Sequence, residues 1–185
     1  MRIIAGQHRG AALATVGRGD AAAHLRPTTD RVRENLFNML QGGRFGDPIT
    51  GARVLDLFAG TGALGLEALS RGASHITFVD NGRAAQKLIR TNIVKLGRES
   101  DCTLLITDAT TMPARPPHKL VFLDPPYGKG LGTGALRHAQ QMGLIAPDSL
   151  IVWEESTSQL APIGFTLLDQ RRYGDSWITV LRFGT

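Results

Sequence analysis

The chain has 185 residues, 42% of them hydrophobic and 20% charged, with a formal net charge of +5 and a pI near 10.0. That length supports one well-buried core and is short for two, and the basic balance favours a polyanionic partner. A lone Cys102 excludes an internal disulfide framework, and no window approaches the length of a membrane span. The start, Met1 to Gly6, has no apolar leader core, and the histidines at 8, 24, 75, 118 and 138 lack metal-ligand spacing. A cytoplasmic monomer with no membrane and no metal is expected.

In chain order, Arg2 to Ala5 and Ala11 to Thr15 read as two short strands of a hairpin around Gly6 to Gly10. After a loop rich in Ala and Gly, Thr29 or Asp30 caps a helix with Val32, Leu36, Met39 and Leu40 on its buried face, leaving Arg31 and Arg33 off that stripe. Residues 1 to 50 carry seven arginines, no lysine and four acids. Arginine forks suit phosphates, so Arg31 and Arg33, close to Arg26 and two threonines, form a candidate phosphate-gripping ledge. A solvated helix face is the plainer alternative.

From Arg53 onward, strands and helices alternate. Val54 to Phe58 is a buried strand, followed by a glycine turn and a helix with Leu64, Ala68 and Leu69 on one face. His75 to Val79 is the next strand, then a helix with Ala85, Leu88, Ile89, Ile93 and Leu96 inward. Further strands fall at Thr103 to Ile106, Leu120 to Leu123 and Leu150 to Trp153, with a helix near Leu136 to Met142. Cys102, heading an apolar strand, reads as a buried, inert thiol. Such alternation implies a parallel α/β sheet with helices on both faces. Phe165 to Tyr173 and Ser176 to Phe183, joined by Gly174-Asp175, add a terminal antiparallel hairpin. Gly128 to Gly134 reads as a flexible connector, with a lid over a substrate as the second possibility.

Two motifs carry the chemistry. Gly60, Gly62 and Gly65 satisfy GxGxxG, and Asp80 ends the next strand twenty positions after Gly60. Bare glycines let a ligand approach the backbone, and an acid at that strand tip is placed for ribose hydroxyls. The spacing alone fits nicotinamide dinucleotides equally well. Asp56, inside the strand, favours S-adenosylmethionine, because a carboxylate is electrostatically sensible near a cationic methionine moiety. Its alternative is a buried Asp satisfied by loop amides. Asp108, after the third strand, and the Ala109 amide are placed to read an adenine edge. The second motif is Asp124-Pro125-Pro126-Tyr127 at the end of the fourth strand. The prolines stiffen the turn, Asp124 and the Pro125 carbonyl offer acceptors to an exocyclic amine, and Tyr127 offers a stacking face.

This combination resembles the S-adenosylmethionine-dependent amino methyltransferases and implies a Rossmann-like methyltransferase sheet. The phrases Ile3 to Gly10, Leu25 to Asn38 and Leu55 to Gly72 look like the bacterial small-subunit ribosomal RNA guanine-N2 methyltransferases, a likeness spanning essentially the whole chain. That family often carries Glu at the end of the second strand and Asp two residues later, where this chain has Asp80 and Gly82. The resemblance implies methyl transfer to the N2 amine of a guanine in 16S ribosomal RNA within the assembling small subunit, with S-adenosylhomocysteine as product. It implies an RNA-contacting extension over 1–50 and a methyltransferase domain over 51–185. The expected catalytic residues are Asp124, Pro125, Pro126 and Tyr127. The expected cofactor residues are Asp56, Phe58, Ala59, Gly60, Thr61, Gly62, Ala63, Asp80, Asn81, Asp108 and Ala109. The RNA would meet Arg9, Arg26, Thr28, Thr29, Arg31, Arg33 and Lys129. Competing readings are a DNA adenine-N6 methylase, a protein glutamine methylase, a nicotinamide oxidoreductase and a non-catalytic RNA-binding assembly factor.

Overall fold

A computed structural model of the chain describes residues 1–15 and 29–184. The expected helix after the N-terminal segment is α1, Asp30–Gln41, and Thr29 caps it by accepting the Val32 amide at 3.3 Å. Its buried stripe runs through Arg33, Leu36, Phe37, Met39 and Leu40, one step round from the expected face, so that Val32 is only half-buried. The alternating part continues as β1 (Arg53–Leu57), α2 (Ala63–Ser70), β2 (His75–Val79), α3 (Arg83–Leu96), β3 (Cys102–Leu105), β4 (His118–Leu123), α4 (Leu131–Gln141) and β5 (Ile145–Glu155). It ends in β6 (Phe165–Tyr173) and β7 (Ser176–Phe183).

These strands form one seven-stranded sheet in the order β3-β2-β1-β4-β5-β7-β6. Pairing is parallel from β3 through β5, and β7 inserts antiparallel between β5 and β6. The parallel strands β1 to β4 are short and mostly apolar because both faces are covered, whereas β6 at the sheet edge is largely polar. One face packs Leu36, Phe37 and Leu40 of α1 with Leu66 of α2 and Ile89 of α3. The other packs Leu136 and Ala139 of α4 with Leu57, Leu123 and Trp153.

The N-terminal segment belongs to the first of these cores. Ile3 and Leu13 are buried in it, and Arg2 and Ala12 make a single antiparallel bridge in place of the two expected strands. The hairpin is pinned by the buried Glu67 of α2, which accepts the Ile4 and Ala5 amides at 2.8 and 3.0 Å.

The glycine-rich stretch is not a connector. Gly130 caps α4 in the left-handed conformation, and Leu131 to Gly134 are that helix's first turn. A Cβ on Gly132 would sit 2.3 Å from the Trp153 ring, so the glycine lets α4 lie against β5. Cys102 is partly buried, and burial pushes its thiol up to about 12, in keeping with the inert role expected of it.

Candidate active site

Strand register builds the site. Leu105, Val79, Leu57 and Leu123, the last residues of their strands, lie level across the sheet with Trp153 near the end of β5, so the loops leaving these parallel strands emerge along one edge. In a sheet of this order the connections run outward in opposite directions from β1 and β4. The crevice between those two strands is the place where open α/β sheets bind ligands. The glycine turn leaves β1 on one side of it and Asp124 leaves β4 on the other, tied by the Asp124 amide to the Leu57 carbonyl at 3.4 Å.

The turn is strained where it meets the crevice. Phe58 takes a φ of 59°, costly for a side chain with a Cβ, and Gly60 and Gly62 adopt 56° and 76°. A Cβ on Gly62 would meet Ile89 and Phe78 at 3.3 Å. Ala59 and Gly60 are half-exposed, and Thr61 and Ala63 are buried at the start of α2. Asp80 holds the turn from the β2 tip: its two oxygens accept the Gly60 and Gly82 amides at 2.9 and 2.8 Å. Partial burial raises its carboxyl above the ordinary range, against the pull of those two bonds. Each oxygen keeps a second lone pair for a ligand hydroxyl.

Asn81 bridges to Asp108 at 3.3 Å, joining the β2 and β3 tips into one rim. Asp108 also accepts the Thr110 hydroxyl and amide at 2.6 and 2.8 Å, which lower its pKa, and Ala109 beside it is buried. Asp56 lies behind the turn rather than on it. It is 1% exposed, accepts the Gly65 amide at 2.9 Å, and burial pushes its carboxyl up to about 8. Its observed partner is thus the amide-satisfied one of the two expected from the sequence.

On the β4 side, Pro125 is buried, Pro126 exposed, and Asp124 and Tyr127 half-exposed. The Tyr127 hydroxyl is fixed by Glu154 Oε1 at 2.9 Å and Ser176 Oγ at 2.8 Å. Burial, more than the neighbouring acids, raises its phenol above the ordinary value, so the ring is a neutral, immobilised face. Glu154 and Ser176 carry part of the site and escaped the sequence reading. An acid following the apolar run Leu150 to Trp153 was the available signal.

The arginines divide. Arg31 is exposed, and with Thr29 it lines a groove of about 560 Å³ that also contains Tyr127. Lys129 is exposed just beyond that tyrosine. Arg33, expected on the RNA ledge, is corrected: it is 0% exposed, pairs with Asp30 at 3.0 Å and Glu67 at 3.9 Å, and donates to the Arg2 carbonyl. It falls on the apolar stripe and locks the N-terminal hairpin to α1 and α2. Arg9 is exposed at the hairpin tip, which bonds to Ser70 at the far end of α2, so it does not meet the rest of the site. Arg26 and Thr28 lie outside the described residues. Among the described residues no cluster of His, Cys, Asp and Glu is arranged to hold a metal ion, and no helix is long and apolar enough to cross a membrane.

Known proteins resemble this chain in sequence and fold. The family model described as "Conserved hypothetical protein 95" matches residues 1–182. Ribosomal RNA small subunit methyltransferase D of Escherichia coli (strain K12) is 38% identical over 164 residues, covering 88% of this chain and 78% of that one. The Haemophilus influenzae protein of the same name is 34% identical over 181 residues, 94% of this chain and 89% of that one. The solved structure of yhhF from Escherichia coli superposes with a TM-score of 0.84 at 34% identity, covering 100% of this chain and 98% of that chain. A strained glycine turn and an Asp-Pro-Pro-Tyr exit thus face one crevice in a chain that matches these relatives almost from end to end, and the chain belongs to the ribosomal RNA small subunit methyltransferase D family.

Proposed function

We propose that this protein transfers a methyl group from S-adenosylmethionine to the exocyclic N2 of a guanine in 16S ribosomal RNA of the assembling small subunit, leaving S-adenosylhomocysteine. The observation that carries the reading is the level register of Leu57 and Leu123, which sets a ligand-cradling turn beside an amine-gripping one at the same sheet edge. The small-subunit ribosomal RNA named for the relatives supports the choice of substrate.

The donor supplies an electrophilic methyl on a sulfonium. The residues along the rim fit it: a turn from Phe58 to Ala63 in which Gly60 and Gly62 carry no side chain, Asp80 with lone pairs toward a ribose, and Asn81, Asp108 and Ala109 where an adenine edge would lie. Asp56 acts from behind by fixing the Gly65 amide and the start of α2.

On the acceptor side, the guanine amine is a poor nucleophile because its lone pair is delocalised into the ring. Asp124 and the Pro125 carbonyl accept its two hydrogens and turn the nitrogen toward the donor, while Pro126 keeps the turn rigid. Positive charge grows on that nitrogen as the bond forms, and the Asp124 carboxylate stabilises it until a proton leaves. The Tyr127 ring stacks on the base, held square by Glu154 and Ser176. A paired base cannot reach this crevice, so the target is unpaired or flipped out. Arg31, Thr29 and Lys129 would meet phosphates beside it, and Arg26 and Thr28 belong to the same proposed set of RNA-contacting residues. Arg9 would touch a more distant part of the RNA, which makes residues 1–50 an RNA-contacting extension of the methyltransferase domain over 51–185.

The test offers labelled S-adenosylmethionine with unmodified small subunits, naked 16S RNA, duplex DNA and a release-factor protein in parallel. Label in ribosomal RNA is expected. Label confined to DNA or protein refutes the assignment.

A further inference from the structure

The groove beyond Tyr127 runs between the first turn of α1 and the β6–β7 turn, with Arg31 and Asn35 on one wall and Arg172 and Tyr173 on the other. We propose that it holds the unpaired nucleotide adjoining the methylated one, with Arg31 and Arg172 on the flanking phosphates and Tyr173 against its base. This rests on the proposed function and adds the C-terminal hairpin as a second jaw for RNA.

Three observations meet here. The groove continues from the site, because the Tyr127 ring lines it and is bonded to Ser176 at the start of β7, so target base and hairpin are held in fixed relation. Its volume of about 560 Å³ falls within the roughly 300–1,000 Å³ of clefts that take small ligands.

The arginines nearby are sorted by their partners. Arg44 and Arg171 are both bound to Asp169 at 2.9 Å, and Arg33 is buried. Arg31 makes no ion pair or side-chain hydrogen bond among the described residues. Among the described residues Arg172 hydrogen-bonds only through Nε, to the Gly174 carbonyl at 2.9 Å, which leaves its outer nitrogens for a ligand and braces the turn. The two guanidinium groups with donors to spare therefore stand on opposite rims of one groove. Glu154 and the exposed Asp175 also line the groove, Glu154 with its Oε1 occupied by the Tyr127 hydroxyl, so phosphates are confined to the two arginine rims. Two separated cations with an aromatic wall between them suit a single strand, whose phosphates flank an unstacked base.

The test is fluorescence anisotropy of the full chain with a labelled single-stranded oligoribonucleotide, the same sequence as duplex, and an acidic peptide as competitor. Arg31→Gln and Arg172→Gln are each expected to weaken single-strand binding about tenfold and to lower the salt slope by about 0.7, the share of one phosphate contact. Arg44→Gln, whose parent guanidinium is tied to Asp169 and the Leu168 carbonyl and lies off the groove, should bind as wild type. Unchanged affinity and slope in both groove variants, or an acidic peptide displacing the RNA at equal concentration, overturns the proposal. Its fate separates from that of the proposed function. A wild-type protein that shows these RNA effects yet methylates no RNA keeps the groove and loses the activity. Arg172→Gln methylating small subunits with wild-type KM keeps the activity and loses the groove.

Discussion

Asp56→Asn should change the pH dependence of stability more than stability itself. The carboxyl is 1% exposed and its pKa is raised from 3.8 to about 8, chiefly by burial, with the Gly65 amide opposing and Asp80 adding. A raised folded pKa means that the stability present below pH 3.8 is lost as pH climbs toward about 8, because the unfolded chain releases a proton that the folded chain retains. At pH 7 the accumulated loss is about 4 kcal/mol, at roughly 1.4 kcal/mol per pH unit. Asparagine keeps an oxygen for the Gly65 amide and cannot ionise, although its second N–H is left without a partner at a cost of about 1–3 kcal/mol. The variant should therefore be no better than wild type near pH 5 and gain on it by about 1.4 kcal/mol for each unit up to pH 7. Urea unfolding of both proteins at half-unit intervals reads this directly. A stability difference that stays constant from pH 5 to 7 would refute the reasoning, since Asp56 would then ionise as it does in the unfolded chain.

The same geometry sets other outcomes. Asp124→Ala should abolish methyl transfer while S-adenosylmethionine affinity by calorimetry stays within a few-fold, because its proposed partner is the acceptor amine; a matching loss of affinity would contradict that role. Arg33→Ala should cost about 1–3 kcal/mol in denaturant melts, through loss of its buried bonds to Asp30 and the Arg2 carbonyl, whereas exposed Arg31→Ala should stay within about 0.5 kcal/mol. Equal effects would return Arg33 to the surface. Gly132→Ala places a Cβ 2.3 Å from the Trp153 ring and should destabilise by about 1–3 kcal/mol, read as a lowered Tm.

What the sequence disclosed depended on whether the cause was local. The β6–β7 hairpin was legible because Gly174-Asp175 sits between two extended runs, and its bounds match the structure. The parallel sheet could be read from alternation, and both motifs emerged at one edge because each comes directly after a short apolar run. Arg33 was misread because the α1 stripe was drawn from Val32. Starting from Arg33, the residues Leu36, Phe37 and Leu40 fall at steps of three, four and seven, and the cation on that face is explained by Asp30 together with two distant partners, the Arg2 carbonyl and Glu67. The stretch from Gly128 to Gly134 looked loose because helix propensity counts glycine as a breaker. Packing against Trp153 overrides propensity there. Glu154, Ser176 and Arg172 are brought together through the pairing of β5 with β7 and of β7 with β6, a relation that no local pattern encodes.

The central claim is that one crevice brings a methyl donor to a guanine amine. Its most direct test is nucleoside analysis of 16S RNA from unmodified small subunits incubated with wild-type protein and labelled S-adenosylmethionine. The expected result is label in N2-methylguanosine alone, absent with Asp124→Ala. Label in another nucleoside, or the same yield from Asp124→Ala, would contradict it.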